Sequence, residues 1–163
     1  MGKLHRRKGS EVKLIVVATD EEYELAKKRF KGHLIIKTGV GGINVIGTLK
    51  HYPKWIKIVN FGYAGSNNIP VGTELTIDYC GLWHPKVDYK EKIYKLKNNH
   101  NNEFKNVCFT SSDFVTECDI KEPCVFDMEL AYILALGFKK VESIKIVSDN
   151  LSLKQYEKEI KKW

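Results

Sequence analysis

No apolar run in the chain approaches the ~20 residues that a bilayer-spanning helix requires, and the opening "MGKLHRRKGSE" lacks the apolar core of a secretion signal. Its first two residues suggest myristoylation, but Arg6 stands where that signal wants Ser or Thr. The expectation is a cytoplasmic protein with no membrane partner. The four cysteines, Cys80, Cys108, Cys118 and Cys124, form no C-x-x-C pair and have no accompanying histidine spacing. Neither a zinc site nor a disulfide framework is indicated, and the four are expected as buried thiols. No internal repeat or low-complexity segment is found. Acids are in the minority, 20 against 27 Lys and Arg, for a formal charge of +7. Such a balance suits nucleic acid or a membrane surface, but the lysines are spread out, gathered only at Lys3 to Lys8 and Lys154 to Lys162. Net charge speaks to solubility before fold, so a solvated surface is expected and nucleic acid is not an expected partner.

What is present is a chain of 163 residues, 43% hydrophobic and 29% charged, enough for one globular domain over residues 1–163 with a basic tail at 1–11. "KLIVVAT" is a β-branched run that reads as a buried strand, and "DEEYELAKKRF", acids first and bases last, reads as the helix after it. "HLIIKTGV", "INVIGTLKHY" and "WIKIVNFG" continue as strand, helix and strand. This alternation predicts an α/β domain with mainly parallel strands, because parallel neighbours need a crossover that is usually helical. "TELTIDYCGLW" predicts a strand, "EKIYKLKNN" a lysine-guarded edge strand, and "NNHNNEFKN" a polar turn. Beyond them "NVCFTSSDF" and "CVFDM" read as strands and "ELAYILALGF" as a helix ended near Gly137. "ESIKIVSDN" then gives a strand and "SLKQYEKEIKKW" a helix opened by Ser152.

Open α/β sheets bind ligands at the carboxyl ends of their strands, so the residues just after each apolar run carry the information. Asp20, Glu21 and Glu22 follow the first strand, and acids in a first helical turn also serve the helix dipole. Gly39, Gly41 and Gly42 lie between strand and helix, where backbone N–H groups can cradle a ligand. The loop is neither a Walker loop nor a dinucleotide fingerprint, since Asn44 stands at the third glycine, and a bare tight turn fits equally well. Asp149 ends the run "IKIVS" and is a candidate cap or Asx-turn. Asp127 and Glu129 flank Met128 at the mouth of an apolar segment. If a strand gives way to a helix there, both emerge at the sheet end that also carries Asp149. One carboxylate could then grip vicinal hydroxyls while Met128 packs against a sugar ring. An Asp cap followed by a solvent-facing Glu is the alternative.

Taken in order, "VATDEE", "TGVGGINVIGT", "VNFGYAGSNNIPVGTELTID", "SSDFVTE", "VFDMELAYI" and "IKIVSDN" resemble the nucleoside phosphorylase and nucleosidase superfamily. Within it the likeness is to the 5'-methylthioadenosine/S-adenosylhomocysteine nucleosidases. The resemblance implies a three-layer α/β/α sandwich around a central mixed, mainly parallel twisted sheet. It also implies hydrolysis of the N-glycosidic bond of an adenine nucleoside, a small-molecule purine nucleoside as partner, a dimer or hexamer of identical chains, and no cofactor or metal. Residue by residue, it places Glu22 as the acid that activates water, with Lys145 where an arginine stands near it. Glu129 becomes the ribose clamp with Met128 beside the sugar, Phe114 the ring stacked on the purine, and Val115 its neighbour. Asp149, after Ser148, becomes the proton donor to the leaving base, and Val40 with Tyr63, Ala64 and Gly65 lines the ribose side. This chemistry suits a bond whose rupture leaves an electron-rich base and a cationic sugar.

The pattern also departs from that superfamily. Its phosphorylases hold phosphate with an arginine after the first strand and a serine near the glycine loop, whereas Asp20 to Glu22 and Asn44 occupy those places here. Acids repel phosphate, which favours hydrolysis over phosphorolysis. A hairpin is missing between Phe30 and His33, and residues 85–105 are compressed. The short segment after Asp149 implies a more open purine side, and Tyr63 replaces a smaller residue and implies a narrower ribose side.

Overall fold

The computed structural model of the chain describes residues 12–84, 93–96 and 105–162. The basic tail and residues 98–104 of the expected polar turn "NNHNNEFKN" lie outside the described residues. The N-terminal half alternates as predicted. Strand β1 (Lys13–Val17) leads to helix α1 (Asp20–Arg29), β2 (Leu34–Lys37), α2 (Gly42–Leu49) and β3 (Lys57–Ser66). β1 pairs in parallel with β2 and with β3, so its β-branched side chains are covered on both faces, as strands of parallel sheets are. Helix α1 opens with a capping box: Thr19 accepts the Glu22 N–H and Glu22 reaches back to the Thr19 N–H. A turn through Gly32, at φ 82°, carries α1 directly into β2 without an intervening hairpin.

The remaining elements are β4 (Glu74–Thr76), β5 (Tyr79–Leu82), β6 (Ile93–Lys95), β7 (Val107–Thr110), β8 (Val125–Asp127), α3 (Leu130–Ala135), β9 (Lys140–Asp149) and α4 (Leu153–Ile160). They complete one mixed sheet of order β2-β1-β3-β8-β7-β5-β6, with β9 beside β3 and β4 beside β9. β6 sits at the end of that order, the edge position expected for it. The predicted single strand "TELTIDYCGLW" is instead two. β4 runs antiparallel to β9 while β5 pairs with β6 and β7, and the change of neighbours occurs at Asp78, whose carboxylate accepts the Asn106 N–H at 2.7 Å.

Helix α1 packs Ala26, Tyr23 and Phe30 onto Ile15, Val17, Val59 and Phe61 on one face of the sheet. Helices α2 and α3 pack Val45, Leu49, Leu130 and Ile133 onto Leu14, Val16, Ile58 and Val147 on the other. The architecture is therefore a three-layer α/β/α sandwich around a mixed, mainly parallel sheet. β3 organises the functional end. It lies parallel to β1 and β9, shifts register against β9 between Ala64 and Gly65, and there pairs antiparallel with β8. The carboxyl ends of β1, β3 and β9 thus meet β8 at a single place. Among the described residues, no helix is long and apolar enough to cross a membrane.

Candidate active site

Of the three acids after β1, Glu22 alone turns inward. Its carboxylate is buried, accepting the N–H of Ala18 at 2.7 Å and of Thr19 at 3.3 Å on Oε2, and the N–H of Tyr63 at 3.0 Å on Oε1. Gly62 makes this possible, because a Cβ at that position would stand 2.5 Å from Oε1. Burial raises the Glu22 pKa above its ordinary value, opposed by the backbone donors and the charge of Lys145. Asp20, by contrast, is exposed and pairs with Lys37.

The acids at the β8–α3 junction separate. Asp127 accepts the Thr110 hydroxyl at 2.5 Å and the Leu130 N–H at 2.9 Å, and it pairs with the Lys145 ammonium at 2.9 Å, both side chains being almost wholly buried. Burial by itself would raise its pKa. The Lys145 charge and the hydrogen bonds outweigh that and hold it below the usual carboxylate range. Burial likewise disfavours the Lys145 ammonium, and Asp127 more than offsets it, leaving Lys145 charged. Glu129 is buried rather than solvent-facing, and its Oε2 accepts the Gly41 N–H at 3.0 Å. Burial and then the Asp127 charge push it up to about 8, so it holds a proton at neutral pH. The glycine loop gives that donor to Glu129, and Asn44 closes the loop by donating to the Val40 carbonyl at 2.7 Å.

At the end of β9, Asp149 is buried and accepts the Ser148 hydroxyl at 2.7 Å and the Ser152 N–H at 3.2 Å. Gly65 lets it approach β3, since a Cβ there would stand 2.9 Å from Oδ2. Burial raises the Asp149 pKa, against the pull of these donors. Ser152 caps α4, which leaves Asp149 to face inward.

These groups surround one cavity of about 230 Å³. Glu22, Val40, Tyr63, Ala64 and Gly65 line one part of it; Phe114, Met128, Glu129, Ser148 and Asp149 line the rest. Val115 lines a smaller adjoining cavity that shares Phe114, Met128 and Asp149. Lys145 reaches neither, being held beneath the floor by Asp127 and acting on Glu22 through its charge. Tyr63 is 7% exposed, and its hydroxyl is sealed without a hydrogen-bond partner.

Five lining residues are not among the site residues expected from the sequence: Ala18, Thr19, Phe126, Tyr156 and Asp127, the last of which is expected only as a cap or as the partner acid of Glu129. Tyr156 comes from α4, its ring centroid 5.7 Å from that of Phe114. The brief segment after Asp149 therefore still supplies a wall of the cavity. Of the cysteines, Cys80, Cys108 and Cys124 are buried as expected, while Cys118 is partly exposed. Among the described residues, no group of three or more His, Cys, Asp or Glu is arranged to hold a metal ion.

The sequence matches no protein-family description and no curated protein. Solved structures do match it. A 5'-methylthioadenosine/S-adenosylhomocysteine nucleosidase from Helicobacter pylori superposes with a TM-score of 0.73 at 13% identity, over 95% of this chain and 93% of that one. The futalosine hydrolase of Helicobacter pylori gives 0.73 at 14% identity over 93% and 91%. An S-adenosylhomocysteine nucleosidase from Streptococcus pyogenes gives 0.73 at 17% identity over 95% and 92%. The chain shares the fold of these proteins.

Proposed function

We propose that the chain is a purine nucleosidase, hydrolysing the N-glycosidic bond of an adenine nucleoside such as methylthioadenosine or S-adenosylhomocysteine to adenine and the free sugar. The observation that carries this reading is the set Glu22, Glu129 and Asp149, three buried carboxyl groups of raised pKa around one cavity, on a fold shared with nucleosidases. Asp149, protonated, gives its proton to the purine nitrogen as the glycosidic electron pair withdraws into the base. The sugar becomes oxocarbenium-like, and Glu22, ionised, takes a proton from the water that adds to the anomeric carbon. Raised acids suit the first role because a neutral carboxyl group can donate. Glu129 and Met128 hold the sugar and Phe114 the base.

Hydrolysis is favoured over phosphorolysis because the ionisable carboxyl groups on the cavity are Glu22, Asp127, Glu129 and Asp149, while the cation beside them among the described residues, Lys145, is already bound to Asp127. Phosphate would meet the ionised Glu22 without a free cationic partner among the described residues. Assembly into a homo-oligomer is part of the same reading, supported by the exposed apolar side chains Val40, Ile43 and Ile46 beside the glycine loop.

Incubation with methylthioadenosine in phosphate-free buffer should release adenine, and Glu22→Gln and Asp149→Asn should each slow release by at least ~100-fold. Release that appears only on adding phosphate would make the protein a phosphorylase. Full activity in both variants would remove these acids from the mechanism.

A further inference from the structure

Tyr156 belongs to no role assigned above. It lines the cavity from α4, and its ring leans on Phe114 with centroids 5.7 Å apart and planes at 59°. Its surroundings orient the other end of the side chain. Burial, then the charges of Glu22 and Glu21, then Glu129 and Asp149, push the phenol up to about 12, and the Tyr63 phenol in turn feels Tyr156 beside Glu22, Glu159 and Glu21. Tyr156 lines the cavity together with Ala18, Thr19, Glu22 and Tyr63 and is absent from the smaller adjoining cavity of Phe114, Val115 and Asp149, which places it on the α1 side of the aromatic wall.

The hydrogen bonds of the lining leave this hydroxyl uncommitted. Glu22, Asp127, Glu129 and Asp149 already accept from protein donors, Ser148 donates to Asp149, and Thr19 accepts from Glu22. Tyr63 has an unpartnered hydroxyl, but it is sealed from the cavity. Tyr156 contributes a phenol on the cavity wall with no hydrogen-bond partner among the described residues. It stays protonated at any physiological pH, so it is a donor awaiting an acceptor.

We propose that Tyr156 is a specificity-determining residue whose hydroxyl donates a hydrogen bond to an oxygen on the 5' carbon of the nucleoside, so that the site takes 5'-oxygenated nucleosides in preference to those with an apolar or thioether 5' end. The inference rests on the nucleosidase reading for its pose. With the base on Phe114 and its leaving nitrogen at Asp149, the vicinal hydroxyls turn to Glu129. The 5' arm then leaves the far side of the sugar ring toward α4 and the α1 end. An oxygen there accepts well from a phenol, whereas a thioether sulfur accepts weakly. A site built to bond a substrate oxygen discriminates against the analogue that lacks it, because the half-buried donor then loses that partner.

Adenosine and 5'-deoxyadenosine differ by that oxygen alone and are the probes. For the unmodified protein, kcat/KM for adenine release should favour adenosine by about tenfold or more, and in Tyr156→Phe, which keeps the ring on Phe114, the ratio should fall to near one. A ratio near one in the unmodified protein, or one unchanged by Tyr156→Phe, overturns the proposal. Thermal melts of both proteins verify that the variant is folded. If neither nucleoside releases adenine, the hydrolytic reading fails separately. Calorimetric titration of the same pair still decides the role of the phenol: a preference for adenosine lost in Tyr156→Phe supports it, and equal affinities for the two nucleosides overturn it.

Discussion

Replacing Lys145 by Met should be among the most destabilising single changes in this chain, and the structure gives both size and sign. The Lys145 ammonium and the Asp127 carboxylate meet at 2.9 Å with their side chains 2% and 1% exposed. Methionine fills much of the lysine volume, so the cost is chiefly that of an uncompensated carboxylate, about 3–5 kcal/mol for a broken buried pair. Against a domain stability of about 5–15 kcal/mol, that lowers the melting temperature by roughly 10 °C. Adding Asp127→Asn removes the stranded charge while an oxygen remains for the Leu130 N–H. The double variant should therefore recover about 2–3 kcal/mol relative to the sum of the single changes. Urea unfolding of the four proteins measures this directly. The pH dependence has a fixed sign. Asp127 is held below its unfolded pKa, so its contribution is present above the ordinary carboxylate range and is lost as pH falls through the folded value. The gap between the unmodified protein and Lys145→Met should be widest near neutral pH and narrow in acid. Additive single changes, to within about 0.5 kcal/mol, would refute the pairing as the source of the effect.

Two further outcomes test the carboxylates themselves. Gly62→Ala puts a Cβ 2.5 Å from Glu22 Oε1, so Glu22 must leave the Tyr63 N–H; adenine release should fall by ~100-fold, as for loss of a general base, and normal turnover would mean that Glu22 needs no such seat. Glu129 is pushed up to about 8, above its unfolded value of about 4.3, so its ionisation lowers stability progressively as pH rises between these two values. Relative to the unmodified protein, Glu129→Gln should therefore gain stability from about pH 5 to about pH 8 while losing activity, and a urea-measured difference that is constant over this window would contradict the assigned protonation.

The order of strands and helices was legible because apolar runs with β-branched residues alternate with segments whose charges follow the helix dipole. "KLIVV" is buried on both faces and "DEEYELAKKR" is a helix for the reasons their residues suggest. The division of "TELTIDYCGLW" was not legible. Both pieces alternate like strands, and only the long-range partners Asn106, β9 and β7 show that the chain changes neighbours at Asp78. At the site, strand-end acids stood out, yet their company did not. Lys145 lies inside the apolar run "IKIV", a placement that requires a buried counter-charge but does not say which acid supplies it. Tyr156 was hidden for another reason. Which side of a short polar helix faces inward depends on how α4 docks against β9, and no residue of α4 is fully buried.

The pair of acids at the mouth of "VFDMELAYILALGF" shows how one stretch of sequence yields two ionisation states. Residues two apart share a face in a strand, but the chain leaves β8 at Asp127 and enters α3 at Leu130, so Asp127 and Glu129 are delivered to different neighbours. Asp127 meets Lys145 and Thr110 and stays an anion. Glu129 meets a single backbone N–H, at Gly41, and its pKa is raised by burial and by the fixed charge of Asp127. The buried pair beneath the cavity floor therefore does more than anchor α3 through the Leu130 N–H. It keeps Asp127 ionised, and the Asp127 charge raises the Glu129 pKa by more than the Lys145 charge lowers it, so that Glu129 keeps its proton at neutral pH. Environments that push two nearby carboxyl pKa values apart are how a site sorts its acids from its bases. Here the sorting depends on Lys145, a residue that never touches the cavity.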